Sequence, residues 1–198
     1  MKDLSLHILD IAENSIAAGA QTIRIVIEEL PNQDVYRLVI EDDGKGMEPD
    51  FVARVTDPWV TTRTTRRIGM GLPLLQQNCE LAGGSMVMDS QPGKGTSVTA
   101  EFRLSHMDRP PAGDIPATLR LLIAANPTLH LVYEHHTPKG TFVFDSRQVK
   151  EAIGDLPLNH PEVLRMCSTY VYENLNLIGA EYQTKNDFKL AENDLNHL

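Results

Sequence analysis

The stretch IEDDGKGM, residues 40–47, ends an apolar run in three consecutive carboxylates, Glu41, Asp42 and Asp43, and then gives two positions to glycine around a lysine. Two readings fit it. An Asp-Gly pair is a common turn signal, and Asp43-Gly44 would reach positive φ at little steric cost. Alternatively the stretch is a binding site, in which Asp42 accepts a hydrogen bond and Gly44 and Gly46 let a flat ligand approach bare backbone.

Working outward, the β-branched runs TIRIVIEEL and VYRLVIED flank the polar turn PNQD and predict an antiparallel hairpin that ends at Asp42. Upstream, Leu4, Ile8, Ile11, Ala12 and Ser15 recur at helical spacing, so residues 3–18 form an amphipathic helix closed by Gly19. Asp10 and Asn14 stand four apart and share one face of it. Downstream, Glu48 to Arg67 reads as a short helix and a loop containing DPWVTTRTTRR. Residues 69–82 regain helical spacing through Leu72, Leu75, Cys79 and Ala82, and Gly83-Gly84 stops them. SMVMDSQ and TSVTAEFRL are strands joined by PGKG.

At His106 to Asp114 the composition changes to HMDRPPAGD, a linker or an ordered connector. Beyond it, ATLRLLIAA is helical, TLHLVYEH and GTFVFD pair across TPKG, DSRQVKEAI is a capped short helix, and HPEVLRMCSTYVYENLNLIG is a longer helix with Asn159 as its N-cap. The last residues are polar.

The 198 residues carry 27 acidic side chains against 18 Lys and Arg, a formal charge of −9, which argues against nonspecific binding to nucleic acid or an anionic membrane. No run approaches the roughly eighteen apolar residues of a membrane span, and neither a secretion signal nor an anchor is expected. Cys79 and Cys167 lack metal-site spacing and read as buried thiols of a cytoplasmic protein. His130, His135 and His136 read as structural or surface residues, because the adjacent pair points to opposite faces of a strand.

DIAENS on the first helix, DDGKGM after a strand and RRIGMGL opening a helix need one explanation. A helix start carries unpaired N–H groups, so Gly69, Gly71 and Leu72 offer a cradle for an anion such as triphosphate. Such an anion needs Mg²⁺, to which the amide oxygen of Asn14 can add a ligand without further negative charge. Asp10 would orient or deprotonate a water or acceptor hydroxyl, and Asp42 would accept from the exocyclic amine of adenine, selecting ATP.

In order and spacing, DIAENSIAAGA, DDGKGM, DPWVTTRTT, IGMGLPLL and PGKGTSV resemble the GHKL, or Bergerat-fold, ATPases, and most closely the histidine-kinase catalytic domain. The resemblance covers about residues 3–104. It implies an α+β Bergerat-type sandwich, a mixed sheet covered on one face by helices, over residues 1–105. A connector at 106–115, a small α+β partner or dimerisation domain at 116–180 and a polar tail at 181–198 would follow. It also implies Asn14 as the Mg²⁺ ligand, Asp42 as the adenine carboxylate, Gly44 and Gly46 as adenine-side backbone and Thr96 as a second hydroxyl there. Met47, Gly69, Met70, Gly71 and Leu72 lie in its glycine boxes, and Thr61, Thr62 and Arg63 in a lid, from which Arg63 would reach phosphate.

The expected activity is γ-phosphoryl transfer from ATP to a separate protein in two-component signalling. The alternative is a non-kinase, ATP-dependent switch, an anti-sigma-like regulator or slow ATPase. Asp10 is one methylene shorter than the Glu that hydrolysing members often carry, and Ala17 replaces the Asp of topoisomerase-like and mismatch-repair members. No acceptor histidine is expected in cis: SHMDRPPA partly matches the usual SHELRTPL pattern around His106, but Pro110-Pro111 would break the helix that displays such a histidine.

Overall fold

A computed structural model describes residues 2–55 and 71–182 of the chain. Helix α1 (Leu4–Ala17) starts at Asp3, whose side chain accepts from the Leu6 N–H at 3.0 Å, and gives way at Gly19, φ +85°. Strands β1 (Thr22–Leu30) and β2 (Val35–Asp42) form the expected hairpin, turned by a short 3₁₀ segment and by Asp34 in the left-handed region. Helices α2 (Pro49–Val55) and α3 (Gly71–Leu81) precede β3 (Ser85–Gln91) and β4 (Gly95–Arg103). Helix α4 (Ile115–Ala125), strands β5 (His130–Thr137) and β6 (Gly140–Asp145), and helices α5 (Ser146–Ile153) and α6 (Pro161–Leu177) complete the described chain.

Six strands make one mixed sheet in the order β3-β4-β2-β1-β5-β6, antiparallel throughout except for the parallel pair β1 and β5. Strand alternation divides its faces. Ile23, Ile25, Ile27, Tyr36, Leu38, Ile40, Val98, Ala100 and Phe102 are buried beneath the helices. The opposite face holds cross-strand ion pairs, Arg24 with Glu41 at 2.9 Å and Glu134 at 2.8 Å, and Arg37 with Glu28 at 2.6 Å and Glu101 at 2.7 Å. Such half-exposed pairs each contribute about 1 kcal/mol or less, so burial on the helical face holds the sheet together.

Segment 116–180, expected as a small domain of its own, is continuous with this sheet. Strands β5 and β6 extend it past β1, and Leu119, Leu131, Tyr133, Val171 and Leu175 join the same buried cluster as Leu4, Ile8 and Ile25. The connector is ordered: the Leu4 and Ser5 N–H groups donate to the carbonyls of Pro111 and Ala112, both at 2.9 Å. His106 lies between two turns after β4 rather than on a helix. The N-cap of α6 is His160, not Asn159, because Pro161 occupies the first helical position and the His160 ring accepts from the Glu162 N–H at 3.4 Å. Cys79 and Cys167 are free and buried, and burial pushes the Cys79 thiol up to about 12. Among the described residues, no helix is long and apolar enough to cross a membrane.

A chain cut after Gly113 would expose the β1 edge and the part of the core shared with α4, α6 and β5. Such a fragment is expected to lose its cooperative thermal transition in calorimetry. A sharp transition from residues 1–113 alone would refute a shared core.

Candidate functional site

The three carboxylates of the opening stretch have three separate tasks. Glu41 points to the open face and pairs with Arg24. Asp43 turns back on β1, where its Oδ1 accepts from the Gln21 and Thr22 N–H groups at 2.7 and 2.8 Å. Burial pushes the Asp43 carboxyl up, but these backbone donors hold it below its ordinary value. Asp42, one residue from each, lies on the helical face: Oδ2 accepts from the Ser15 hydroxyl at 2.6 Å and Oδ1 from the Gly44 N–H at 2.8 Å.

The loop beyond Asp42 is laced to both neighbours. Lys45 N–H donates to the Ala18 carbonyl at 3.1 Å, Gly93 N–H to the Lys45 carbonyl at 2.7 Å, and Met47 N–H to the Ser90 hydroxyl at 2.9 Å. A Cβ on Gly46, φ +65°, would collide with the Gln91 carbonyl, and one on Gly44 would sit 2.9 Å from Asp42 Oδ1. The chain's own packing therefore accounts for both glycines.

On α1, Asn14 Nδ2 donates to Asp10 Oδ2 at 3.3 Å. This turns the amide oxygen of exposed Asn14 away from Asp10, as a hard-cation ligand requires. Asp10 is half-buried, and burial raises its carboxyl above the ordinary value against the pull of the Asn14 bond. Thr96 stands opposite Asp42 in the β2–β4 register, and its hydroxyl meets Ser90 at 2.9 Å. The fold thus sets Thr96 opposite Asp42 and ties Asp42 to Ser15, the residue after Asn14 on α1. At the start of α3, Gly71 is buried and Leu72 half-buried, while Thr61, Thr62, Arg63, Gly69 and Met70 lie outside the described residues. Among the described residues, no cluster of three His, Cys, Asp or Glu could hold a metal by itself. An open groove of about 300 Å³ along the strand ends mixes Asp42 and Thr96 with Glu41 and Ser97, which alternate to the other face, so it encloses no single site.

Sequence reasoning missed Ser15, Ser90 and His7 as parts of this region. Ser15 carried a usable signal: it is a hydroxyl in the apolar stripe of α1, and a buried hydroxyl needs a partner. His7 is fully buried between α1 and α3. Its Nε2 lies 3.0 Å from Asn78 Nδ2, which can only donate, so Nδ1 carries the proton. That Nδ1 has no partner in hydrogen-bond geometry among the described residues, although the Gly71 backbone is close enough to raise the ring's basicity slightly. Burial dominates and pushes the imidazole down to about 4.

Residues 2–106 match the family model described as histidine kinase-, DNA gyrase B-, and HSP90-like ATPase. The "Probable C4-dicarboxylate sensor kinase" of Bacillus subtilis is 35% identical over 88 residues, 44% of this chain and 16% of that protein. Sensor protein kinase FleS of Pseudomonas aeruginosa is 34% identical over 92 residues, 46% of this chain and 23% of that protein. The chain thus spans less than a quarter of the length of these curated relatives. A crystal structure of the N-terminal domain of a DNA repair protein shares the fold with a TM-score of 0.51 at 16% identity, covering 78% of this chain and 58% of that one.

Because His7 titrates near 6.5 when unfolded and near 4 when folded, the unfolded chain takes up the proton first. The stability cost therefore begins as pH falls through 6.5 and levels off below about 4. Urea unfolding at pH 7 and pH 5 is expected to show a loss about 2 kcal/mol larger for the native protein than for His7→Gln, from roughly 1.4 kcal/mol per pH unit. Equal losses would show that the ring is not held neutral.

Proposed function

The chain belongs to the histidine kinase-, DNA gyrase B- and HSP90-like ATPase family, and on that premise we propose that it binds ATP with Mg²⁺ and transfers the γ-phosphoryl group to a separate protein. The observation that carries this reading is the seam between α1 and the end of β2. One helix carries Asp10, Asn14 and Ser15, and Ser15 fixes Asp42 at 2.6 Å. Asp42 and Asn14, which this reading assigns to the purine and the metal, stand on a strand end and a helix whose positions need no ligand.

In this reading Asp42 accepts from the adenine amine, with Thr96 beside it. The start of α3 at Gly71 and Leu72 receives the phosphates, and Gly69 and Met70 are assigned to the same task. Met47 and the backbone of Gly44 and Gly46 flank the base, and Thr61, Thr62 and Arg63 close over the phosphate end. Asn14 fits Mg²⁺ because its amide nitrogen is already turned to Asp10. The metal would neutralise charge building on the phosphate oxygens. In the transfer itself, the bond from the β-phosphate oxygen to the γ-phosphorus breaks, a bond to the acceptor forms, ADP departs and the acceptor gives up its proton. In this reading Asp10, whose carboxyl burial raises above its ordinary value, takes that proton. The acceptor is a cytoplasmic protein partner in a two-component arrangement. Segment 116–180 chooses that partner or pairs with a second copy.

One observation favours a second reading, an ATP-dependent switch with slow turnover. Asp10 is already bonded to Asn14, and its short side chain limits its reach.

Incubation with γ-labelled ATP and candidate partners separates the two. Label that survives alkali and is lost in acid supports phosphohistidine transfer; no label, with partner binding that still requires ATP, sinks the kinase reading and leaves the switch. In thermal unfolding, Mg-ATP at a hundredfold excess over Kd is expected to add about 2.7 kcal/mol. Asn14→Ala is expected to remove the Mg²⁺-dependent part of that gain, and an unchanged gain would refute the metal assignment.

A further inference from the structure

Ser90 on β3 is buried, and its hydroxyl makes three contacts: the Met47 N–H at 2.9 Å, the Gly95 carbonyl at 3.0 Å and the Thr96 hydroxyl at 2.9 Å. A serine hydroxyl has one proton and two lone pairs. Met47 N–H can only donate, so it fills one lone pair. The Gly95 carbonyl can only accept, so it takes the proton. The remaining lone pair faces Thr96, whose own hydroxyl proton must fill it. Any other assignment leaves the Ser90 and Gly95 oxygens 3.0 Å apart with no proton between them, in a place where an unmet polar group is costly.

The consequence reaches the pocket. With its proton committed to Ser90, Thr96 has only lone pairs left to present. Thr96 lies opposite Asp42 in register, and both Asp42 oxygens are likewise acceptors. The pair therefore demands donors from whatever lies between them. An amine at the purine 6-position supplies two; a carbonyl there supplies none and would face two acceptors.

We infer that Ser90 is a positioning residue for base selectivity: by taking the Thr96 proton, it makes Thr96 an obligate acceptor and so strengthens the discrimination of 6-amino over 6-oxo purine nucleotides. The inference rests on the ATP-binding reading above and adds a residue that would not itself touch the nucleotide. Removing the Ser90 hydroxyl releases the Thr96 proton, which can then be offered to a 6-oxo group.

The test is calorimetric titration of the full chain with ATP and with inosine triphosphate, which has a carbonyl in place of the 6-amine. Ser90→Ala is expected to narrow the preference for ATP over inosine triphosphate by roughly tenfold, mainly by tighter binding of the latter. Ser90→Thr, which restores a hydroxyl, is expected to return the preference toward the native ratio. A merely structural role would weaken both nucleotides alike, and an unchanged ratio in Ser90→Ala would overturn the inference while leaving ATP binding intact. Should that variant fail to fold, Thr96→Val provides the second arm. It removes the acceptor, so ATP should weaken while inosine triphosphate does not, and an unchanged ratio there overturns the inference equally. A native chain that binds neither nucleotide overturns both this inference and the reading beneath it.

Discussion

The hydroxyl of Ser15, 2.6 Å from Asp42, is the contact on which the arrangement turns. It crosses from helix to sheet at the point where β2 stops, and it joins two partly buried groups that would each be costly to leave unmet. Its value lies in direction. A carboxylate at a strand end could rotate toward solvent; held by Ser15 on one oxygen and by the Gly44 N–H on the other, Asp42 keeps a single orientation. The loop that follows inherits that orientation, because Gly44 is fixed by Asp42, Lys45 by α1 and Met47 by Ser90. Asp42, the glycine loop and the β3–β4 turn are thus one hydrogen-bonded unit.

Helix α1 is the rail along which the rest is set. His7, Asp10, Asn14 and Ser15 fall within a little over two turns, so their spacing is fixed by helical geometry rather than by loop conformation. The same helix meets α3 through His7 and Asn78, and reaches β2 through Ser15. A shift of α1 by even part of a turn would move Asn14 and the carboxylate's anchor together. Burial of Leu4, Ile8, Ile11 and Ala12 against the sheet opposes such a shift.

What was legible in the sequence was local. The apolar periodicity of α1, the β1–β2 hairpin around PNQD and the shared face of Asp10 and Asn14 follow from spacing alone, and the structure has them. The motif order led correctly to the ATPase fold and to a mixed sheet. What was not legible depends on distant partners. Ser15 acquires meaning from a residue 27 positions away, and Ser90 from one 43 positions away; neither separation leaves a periodic trace. The glycines show a related ambiguity. DGKG reads equally as a turn or as a ligand cradle, and only the approach of the Gln91 carbonyl shows why Gly46 is needed by the chain itself.

The parallel contact of β1 with β5 was beyond such reading for the same reason, and apolar alternation alone would not fix it, since a slip of two residues keeps every side chain on its face. The polar groups oppose a slip. Fully buried His135 meets the Tyr133 hydroxyl at Nδ1, 2.6 Å, and its Nε2 meets Glu29 at 2.8 Å. Glu29 also receives the Glu181 N–H at 2.7 Å, and Arg109 from the connector holds Glu181 at 2.6 Å. Burial pushes the Glu29 carboxyl up, but the His135 and Glu181 bonds bring it below its ordinary value, so it stays an acceptor. His135 faces Ile27 across the strand pair, and a slip that carried it toward Ile25 would leave the imidazole buried without its carboxylate, at a cost of about 1–3 kcal/mol for each unmet group. The segment after residue 115 is therefore held against such a slip along β1, and β1 begins where Asp43 caps it, one residue beyond Asp42.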